Sequence, residues 1–374
     1  MAIPSFNRII INRENLRHNF AVLSGRLSPH TALLAMVKSE AYGHGLKTAA
    51  AAFGSSGCAL FGVAELGEGV ALRESGCTGT ILVFLGFDKD YCDYFFSHDL
   101  TPVLFSREDL DVFADMADRK KQSASVYLKF DCGMSRLGFK PHEAEELVLR
   151  VAGHPWLRLK GVISHYPCSD DRYSENSRDV YRLFSLVCKA AAQEQQTLSS
   201  LCNSGGLLYF PETCADMARS GISLYGYCPD GKAGRNTESG QQLRPAMSFV
   251  SRVLQINDVS AGSGVSYGHT FVAEKDMRLA VLPVGYSDGY PRLLSNRGEV
   301  LINGRRVPIR GRICMNLCMV DITGMEGVRM GDEVVLLGSQ GNETIDADEI
   351  GDWAATVNYE ILCSLGNNNE RVFV

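Results

Sequence analysis

The sequence places a lysine where an amine could react with a carbonyl group. Lys38 follows the apolar run Thr31–Val37, which predicts a buried parallel strand, and a glycine-rich turn separates it from a predicted helix at Leu46–Phe53. Lys38 is therefore predicted to end a strand and to point into the site that the strand ends surround. Most lysines lie at the surface, but an ammonium group in such a place pairs with an anion or has a lowered pKa. A desolvated lysine of this kind can form an imine.

Further polar residues follow four later apolar runs. They are Lys129 with Asp131 and Arg136, then His165, then Asn203–Gly206, and finally Arg219–Ile222. The serines, glycines and backbone N–H groups of the last two segments could bind a phosphate, although either segment alone could be an ordinary glycine turn. Arg219 and His165 can hydrogen-bond an aromatic heterocycle. A phosphate, an aromatic nitrogen and an imine together describe pyridoxal 5′-phosphate.

Three of these residues have simpler interpretations that stay open at this point. His165 could be a core histidine with satisfied hydrogen bonds. Lys129 could form an ion pair with Asp131, and Arg136 could be a surface cation.

The elements that must position these residues alternate between strand and helix. The clearest predicted helices are Arg107–Lys120 and Asn176–Gln195, where apolar residues keep helical spacing. About eight strand–helix units predict an N-terminal (β/α)8 TIM-like barrel in residues 1–240, with its active site at the carboxyl ends of the strands. A doubly wound open sheet is the alternative, but no G-x-G-x-x-G motif opens a helix after the first strand.

The pattern changes near Gln242, where helical stretches disappear and short strands separated by glycine turns follow. Residues 241–374 are therefore predicted to form a second, mostly β domain, and Asn303-Gly304 predicts a tight hairpin. The polar segment Asp230–Gly240 is typical of a linker.

Composition excludes several classes of protein. The 374 residues carry a formal net charge of −6, which gives no reason to expect nucleic acid as a partner. No apolar run approaches the length of a membrane span, and the first residues lack a signal-peptide pattern. The twelve cysteines show neither disulfide-framework nor zinc-ligand spacing, so no metal is expected. A cytoplasmic protein is predicted.

The motifs, taken together, resemble those of alanine racemases, the fold-type III pyridoxal phosphate enzymes. The resemblance covers nearly the whole chain, and its most specific parts are Lys-x-x-x-Tyr-Gly-His-Gly at 38–45 and Asp-x-Gly-Met-x-Arg-Leu-Gly at 131–138. Further matches are Asn203-Ser204, Arg219 to Gly226, Val265–Gly268, Gly285–Gly289 and Cys314-Met315.

The resemblance implies a role for each matching position. Lys38 would hold the cofactor covalently and act as one base, and Tyr267 would be the second base, supplied by the partner chain of a head-to-tail homodimer. Contacts with the cofactor are expected from nine residues of the chain. They are Lys38, Tyr42, Arg136, His165, Asn203, Ser204, Arg219, Gly221 and Ile222.

The remaining implied roles concern the substrate and the support of the site. Arg136 and the partner's Met315 would bind the substrate carboxylate, and a carbamylated Lys129 would orient Arg136. Arg292 would hold Tyr267. Tyr286 and Asp170 would line the entrance.

The C-terminal sequence departs from the family pattern. Asn367 takes the place of a family tyrosine that narrows the substrate pocket, and this resembles the serine racemases of glycopeptide resistance, which carry a membrane domain ahead of the catalytic part. The alternative is that Asn367 lies in a loop, Asn367–Asn369, because turns favour asparagine in any case.

The sequence thus predicts a homodimeric pyridoxal 5′-phosphate racemase for alanine, serine or both, serving cell-wall precursor supply. It would be a stand-alone enzyme or the catalytic part of a membrane-tethered protein. The alternatives are a broader-specificity amino-acid racemase and a non-catalytic pyridoxal phosphate carrier.

Overall fold

The computed structural model describes residues 5–171, 174–192 and 197–374. These residues divide into two compact units. The barrel unit comprises Leu16–Ala41 and Leu46–Arg244, and the β unit comprises the described residues up to Asn15, Tyr42–Gly45 and Pro245–Val374. The domain ranges 1–240 and 241–374 stay a prediction.

Eight parallel strands form the barrel unit, and they confirm the predicted TIM-like fold. They are Ala32–Met36, Leu60–Val63, Thr80–Val83, Thr101–Leu104, Ala124–Lys129, Leu157–Ile163, Leu198–Ser200 and Met217–Ser220. The first seven pair in chain order, and the first also pairs with the eighth. Between the seventh and the eighth, Arg219 N–H donates to the Cys202 carbonyl over 2.9 Å.

The barrel interior is a packed apolar core. It is filled by Leu34, Leu82, Val103, Tyr127, Ile163 and Met217, none of them more than 3% exposed. The α-helices of five or more residues in this part of the chain are Arg13–Ser24, Leu46–Ser55, Leu66–Glu74, Asp93–Ser97, Arg107–Lys120, Ala144–Ala152, Glu175–Ala191 and Ser204–Tyr209.

Two predicted helices and the linker can be compared with the structure. Arg107–Lys120 forms as predicted, with the Ser106 hydroxyl accepting the Asp109 N–H. The second helix spans Glu175–Ala191, and the predicted end at 193–195 lies outside the described residues. The predicted linker contains two helical turns, Lys232–Arg235 and Glu238–Gln241.

The β unit is built around a strand from the start of the chain. Arg8–Ile11 pairs antiparallel with Met247–Arg252 and parallel with Glu370–Phe373. The remaining strands are Gln255–Val259, Gly264–Val265, Phe271–Val272, Met277–Leu282, Glu299–Ile302, Arg305–Pro308, Cys318–Asp321, Glu333–Gln340 and Glu343–Ile345. The predicted hairpin is confirmed, because Asn303 and Gly304 join two of these strands with φ of 51° and 71°.

The prediction that helices disappear after Gln242 is wrong. Ala347–Ala354 and Asn358–Asn368 are α-helices, and the first begins with the Asp346 carboxylate accepting the Glu349 N–H. Each buries an apolar face, made by Ile350 and Ala354 in the first and by Ile361, Leu362 and Leu365 in the second. The alternative of a loop at Asn367–Asn369 is also wrong, because the second helix continues to Asn368. Within the described residues, no helix combines the length and hydropathy needed to cross a bilayer.

Candidate active site

The chain leaves the first barrel strand in a left-handed turn. The strand ends at Met36, so the prediction that Lys38 is its last residue is wrong by two positions. From Ser39 to Tyr42, four non-glycine residues in succession have φ between 53° and 55°. Each such residue costs about 1–2 kcal/mol, so the turn persists only where its surroundings enforce it. Lys38, at its start, is half-buried.

Glu68 holds the start of this turn within the barrel unit. One carboxylate oxygen accepts the Ser39 N–H over 2.5 Å, and the other accepts those of Ala64 at 2.7 Å and Glu65 at 3.1 Å. Ala64 and Glu65 are sequence neighbours of Glu68, but Ser39 lies 29 positions away, so the contact with the turn could not be predicted from the sequence.

Lys129 is a buried cation near other cations. Lys129 is only 8% exposed and lies at the end of the fifth barrel strand. Burial lowers the pKa of Lys129 to about 8, and the charges of Arg136, Arg219 and Lys38 act in the same direction. Asp131 opposes this shift only in part. A tenth or so of such an amine is neutral at pH 7, which is the form that reacts with carbon dioxide or a carbonyl.

Asp131 organises the loop that carries Arg136. Its carboxylate accepts the backbone N–H groups of Gly133, Met134, Ser135 and Arg136 at 2.8–3.0 Å. Burial raises the pKa of Asp131, but these four hydrogen bonds hold it below its usual value. An ion pair with Lys129 is therefore not the main task of this carboxylate.

Arg219 and His165 form a buried pair. Arg219 is 4% exposed, and its Nη2 donates to His165 Nδ1 at 3.0 Å and to the Ser164 carbonyl at 2.7 Å. Its Nη1 donates to the carbonyl and hydroxyl of Ser200. Burial lowers the pKa of Arg219 to about 10. Burial, and then the charge of Arg219, lowers the pKa of His165 well below 6.5, so the ring is neutral.

A hydroxyl and several backbone N–H groups converge after the last two barrel strands. Ser204 Oγ accepts the N–H of Gly221 at 2.9 Å and that of Ser223 at 3.5 Å, and it lies 3.2 Å from Ser220 Oγ. The buried Ser223 hydroxyl has no hydrogen-bond partner within the described residues. Such an orphaned group is rare in a protein interior, and it fits an anion bound at this position.

The backbone around this convergence is tightly packed. Asn203 Oδ1 accepts the Gly206 N–H at 3.0 Å and so caps the helix Ser204–Tyr209. A Cβ on Gly205 would lie 2.5 Å from the Ser169 carbonyl oxygen, so only glycine fits there. Ile222 is fully buried and starts a single 3₁₀ turn.

Tyr267 lies in the β unit on a turn with unusual backbone angles. Ser266 and Gly268 on either side of it have φ of 63° and 68°, and the Ser266 hydroxyl donates to the Arg312 carbonyl. The side chain that lies against this turn is that of Arg312, whose Nη1 is 3.0 Å from where a Cβ on Gly268 would be. The predicted contact of Arg292 with Tyr267 stays a prediction. Tyr267 is 68% exposed.

Two other predicted residues of the β unit are exposed beside a close backbone contact. Met315 and Tyr286 are 56% and 44% exposed. Tyr286 N–H donates to the Cys314 carbonyl at 3.1 Å, and a Cβ on Gly285 would lie 2.2 Å from the Met315 carbonyl oxygen. Glycine at 285 therefore lets the two segments meet.

The remaining predicted residues are placed as follows. Arg292 and Asp170 are exposed. Tyr42 is buried, and this burial raises its pKa well above the usual value, so the phenol is a hydrogen-bond donor. Asn367 is exposed near the end of a helix, and its Oδ1 accepts from Arg371 at 2.9 Å. The functional roles of these four residues stay predictions.

Two family models match the chain in order. "Alanine racemase, N-terminal domain" matches residues 11–229, and "Alanine racemase, C-terminal domain" matches residues 246–373. A protein named alanine racemase from Syntrophobacter fumaroxidans is 38% identical over 364 residues, 97% of this chain and 96% of that one.

Solved structures agree with these matches. Alanine racemase from Streptomyces lavendulae has a TM-score of 0.93 and 32% identity, covering 100% of this chain and 98% of that one. Alanine racemase from Bartonella henselae, solved with covalently bound pyridoxal phosphate, has a TM-score of 0.89 and 28% identity, covering 99% and 100%. These relatives lend no support to the resemblance to serine racemases of glycopeptide resistance or to a membrane domain.

Proposed function

The chain belongs to the alanine racemase family, and from this membership we propose that it is a pyridoxal 5′-phosphate racemase for alanine, serine or both. The observation that carries the proposal is a group of four cations in the barrel unit, Lys38, Lys129, Arg136 and Arg219. Each of them lowers the pKa of His165, and the other three also lower the pKa of Lys129. Such a cluster fits an anionic cofactor and an anionic amino-acid carboxylate.

The residues of the barrel unit fit pyridoxal 5′-phosphate. Ser204, Gly221, Ile222 and the orphaned Ser223 hydroxyl would hold the phosphate, with Asn203 capping the helix that starts at Ser204. The family resemblance alone assigns a further phosphate hydrogen bond to Tyr42, a residue of the β unit. The cofactor supplies an electron sink for the negative charge that develops at the substrate Cα.

Arg219 and His165 would hold the aromatic ring. A guanidinium only donates hydrogen bonds, so Arg219 beside a pyridine nitrogen would leave that nitrogen unprotonated. An unprotonated nitrogen would limit how far negative charge spreads into the ring, so Arg219 at this position would disfavour side reactions such as transamination. Arg136, oriented by a carbamate on Lys129, would bind the substrate carboxylate.

Racemisation requires a base on each face of Cα, one to remove the proton and one to return it. We assign these roles to Lys38 and Tyr267, with Tyr267, Met315, Tyr286 and Arg292 contributed by the partner in a head-to-tail homodimer. The exposure of Tyr267 and Met315 in the single chain supports this assignment, because a residue that completes a partner's site lies at the surface of its own chain.

The proposed biological role is the supply of D-amino acids for peptidoglycan precursors in the cytoplasm. Serine differs from alanine by one hydroxyl, and a site that does not pair this group discriminates by only about 10²-fold. Activity on both substrates is therefore expected, with Asn367 favouring serine. Asp170 would line the entrance with Tyr286.

The test is to load the purified protein with pyridoxal 5′-phosphate and to measure D-alanine and D-serine formed from each L-enantiomer. Lys38→Ala should abolish racemisation and the visible absorbance of the bound cofactor, whereas the exposed Lys47→Ala should change neither. Racemisation of bulky amino acids at comparable rates would favour a broad-specificity racemase. Cofactor binding without any racemisation would indicate a carrier.

A further inference from the structure

We propose that Arg371 is a positioning residue whose guanidinium fixes the left-handed turn that begins at Lys38. The inference rests on the proposed function, because it assigns Arg371 to the segment that would hold the cofactor.

Arg371 joins the far end of the turn to the C-terminal helix of the β unit. Its Nε donates to the Gly43 carbonyl and to the Gly366 carbonyl, both at 2.9 Å, and its Nη2 donates to Asn367 Oδ1. Gly366 lies in the last turn of the helix Asn358–Asn368, where carbonyl groups lack helical partners and carry a partial negative charge. A cation is therefore favoured at this point.

The backbones that Arg371 connects are already in close contact. A Cβ on Gly43 would lie 2.4 Å from the Leu362 carbonyl oxygen, and a Cβ on Gly366 would lie 2.1 Å from the Gly43 carbonyl oxygen. Glycine on both sides lets the two backbones meet, and the rings of Tyr42 and Tyr359 lie 6.1 Å apart between the same two segments. The donated hydrogen bonds of Arg371 fix the mutual position of the two backbones at this contact.

The turn needs such fixation because its conformation is unfavourable for the residues it contains. Ser39–Tyr42 occupy the left-handed region without a glycine. Glu68 holds the start of the turn at Ser39, and Arg371 holds the residue that follows it, Gly43. Without Arg371 the segment can relax toward ordinary backbone angles. A cofactor that binds only the left-handed form then binds more weakly, in proportion to the fraction of protein that has left this form.

The experiment compares Arg371→Ala and Arg371→Lys with Arg13→Ala. Arg13 is a matched control, because its Nε also donates to a backbone carbonyl of the β unit, that of Val374 at 3.3 Å. The readouts are hydrogen exchange of the amides of residues 39–45 in the apoprotein, the dissociation constant for pyridoxal 5′-phosphate from its absorbance, and the melting temperature.

Arg371→Ala is expected to speed exchange in residues 39–45 and to raise the dissociation constant, each at least about tenfold. Arg371→Lys should fall between it and the wild type, because one ammonium group replaces the two-carbonyl contact of Nε only in part. Arg13→Ala should match the wild type in both readouts. Wild-type exchange and affinity in Arg371→Ala, or equal losses in Arg13→Ala, would overturn the proposal.

Two further outcomes keep this inference separate from the proposed function. A wild-type protein that binds no pyridoxal 5′-phosphate would refute the proposed function, and exchange in the apoprotein would still decide the role of Arg371. If Arg371→Ala does not fold, the comparison of Arg371→Lys with the wild type decides in its place.

Discussion

Arg219 donates from Nη2 to Nδ1 of His165 over 3.0 Å, and this contact makes Nδ1 of the histidine a hydrogen-bond acceptor. A guanidinium has no acceptor atom, so Nδ1 carries no proton in this contact. The other partners of the Arg219 guanidinium are oxygens of Ser200, Ser164 and Leu201, which are neutral. A buried cation among neutral acceptors favours a ligand atom with a lone pair, such as a pyridine nitrogen.

This arrangement predicts that His165 destabilises the fold at low pH. Its folded pKa lies below the unfolded value of 6.5, so as the pH falls through 6.5 the unfolded chain binds a proton that the folded chain does not. Stability therefore falls below about pH 6.5 by at most about 1.4 kcal/mol per pH unit for this group. His165→Gln should reduce the change in the free energy of unfolding between pH 7 and pH 5, measured by urea denaturation at each pH.

The exposed His30→Gln provides the control for this comparison. It should keep the wild-type slope. An equal slope in wild type and His165→Gln would show that His165 takes up its proton in the folded state.

Lys129 is predicted to cost stability at neutral pH in carbon dioxide-free buffer. Its pKa is about 8 in the fold against 10.5 in the unfolded chain, so below pH 8 both states are protonated and the full penalty applies. Between about pH 8 and 10.5 stability rises with pH, because only the unfolded chain still binds the proton. Lys129→Met should raise the free energy of unfolding at pH 7 by about 1–3 kcal/mol, with a smaller gain at pH 10.

Bicarbonate provides the second arm of this experiment. A carbamate on Lys129 would replace a cation by an anion next to Arg136 and Arg219, so bicarbonate should stabilise the wild type and not Lys129→Met. The exposed Lys160→Met, in the next barrel strand, keeps Lys129 and should match the wild type both in carbon dioxide-free buffer and in its stabilisation by bicarbonate. A loss of stability in Lys129→Met without bicarbonate would contradict the prediction.

The sequence predicted the barrel and the order of its polar residues because both are local signals. Apolar runs mark the strands, and residues such as Lys129 and His165 follow them directly. The partners of Arg219 were not predictable, since Ser200 and Ser164 lie 19 and 55 positions away and have no distinctive motif. Contacts of this kind depend on how neighbouring strands are aligned.

Two other features were missed for different reasons. The left-handed turn was missed because Ser39–Tyr42 contain no glycine, the usual sign of positive φ. The helices Ala347–Ala354 and Asn358–Asn368 were missed because the surrounding glycine turns and short strands dominated the interpretation, although apolar residues at helical spacing were present.

The proposed sharing of each active site between two chains predicts complementation between two inactive variants. Lys38→Ala and Tyr267→Phe each remove one base, and each should lower kcat by about 10²–10⁴-fold or more. In a mixed dimer one site lacks both groups and the other is intact. Random mixing of equal amounts makes half of the dimers mixed, so activity should recover to about a quarter of the wild type. Co-refolding followed by an alanine racemisation assay measures this, and no recovery would place both bases on one chain.

The Ser223 hydroxyl is predicted to act on the phosphate rather than on the fold. Because it has no partner within the described residues, Ser223→Ala should leave the apoprotein as stable or stabilise it by about 1 kcal/mol. It should weaken binding of pyridoxal 5′-phosphate without weakening that of pyridoxal, which lacks the phosphate. Ser204→Ala, in contrast, should destabilise the apoprotein by about 1 kcal/mol because the Gly221 N–H loses its acceptor. Equal weakening of both ligands by Ser223→Ala would contradict a phosphate contact.

Asn367→Tyr is predicted to shift substrate preference toward alanine. The tyrosine is larger and removes an amide that can pair with the serine hydroxyl, and a site that loses such a partner loses its preference for the hydroxylated substrate. The ratio of kcat/KM for alanine to that for serine should rise at least about tenfold. Asn368→Tyr is the matched control, because Asn368 is the exposed next residue of the same helix, and its amide donates to the Ser364 carbonyl. If the ratio does not move in Asn367→Tyr, or moves equally in both variants, the role of Asn367 is confined to its hydrogen bond with Arg371.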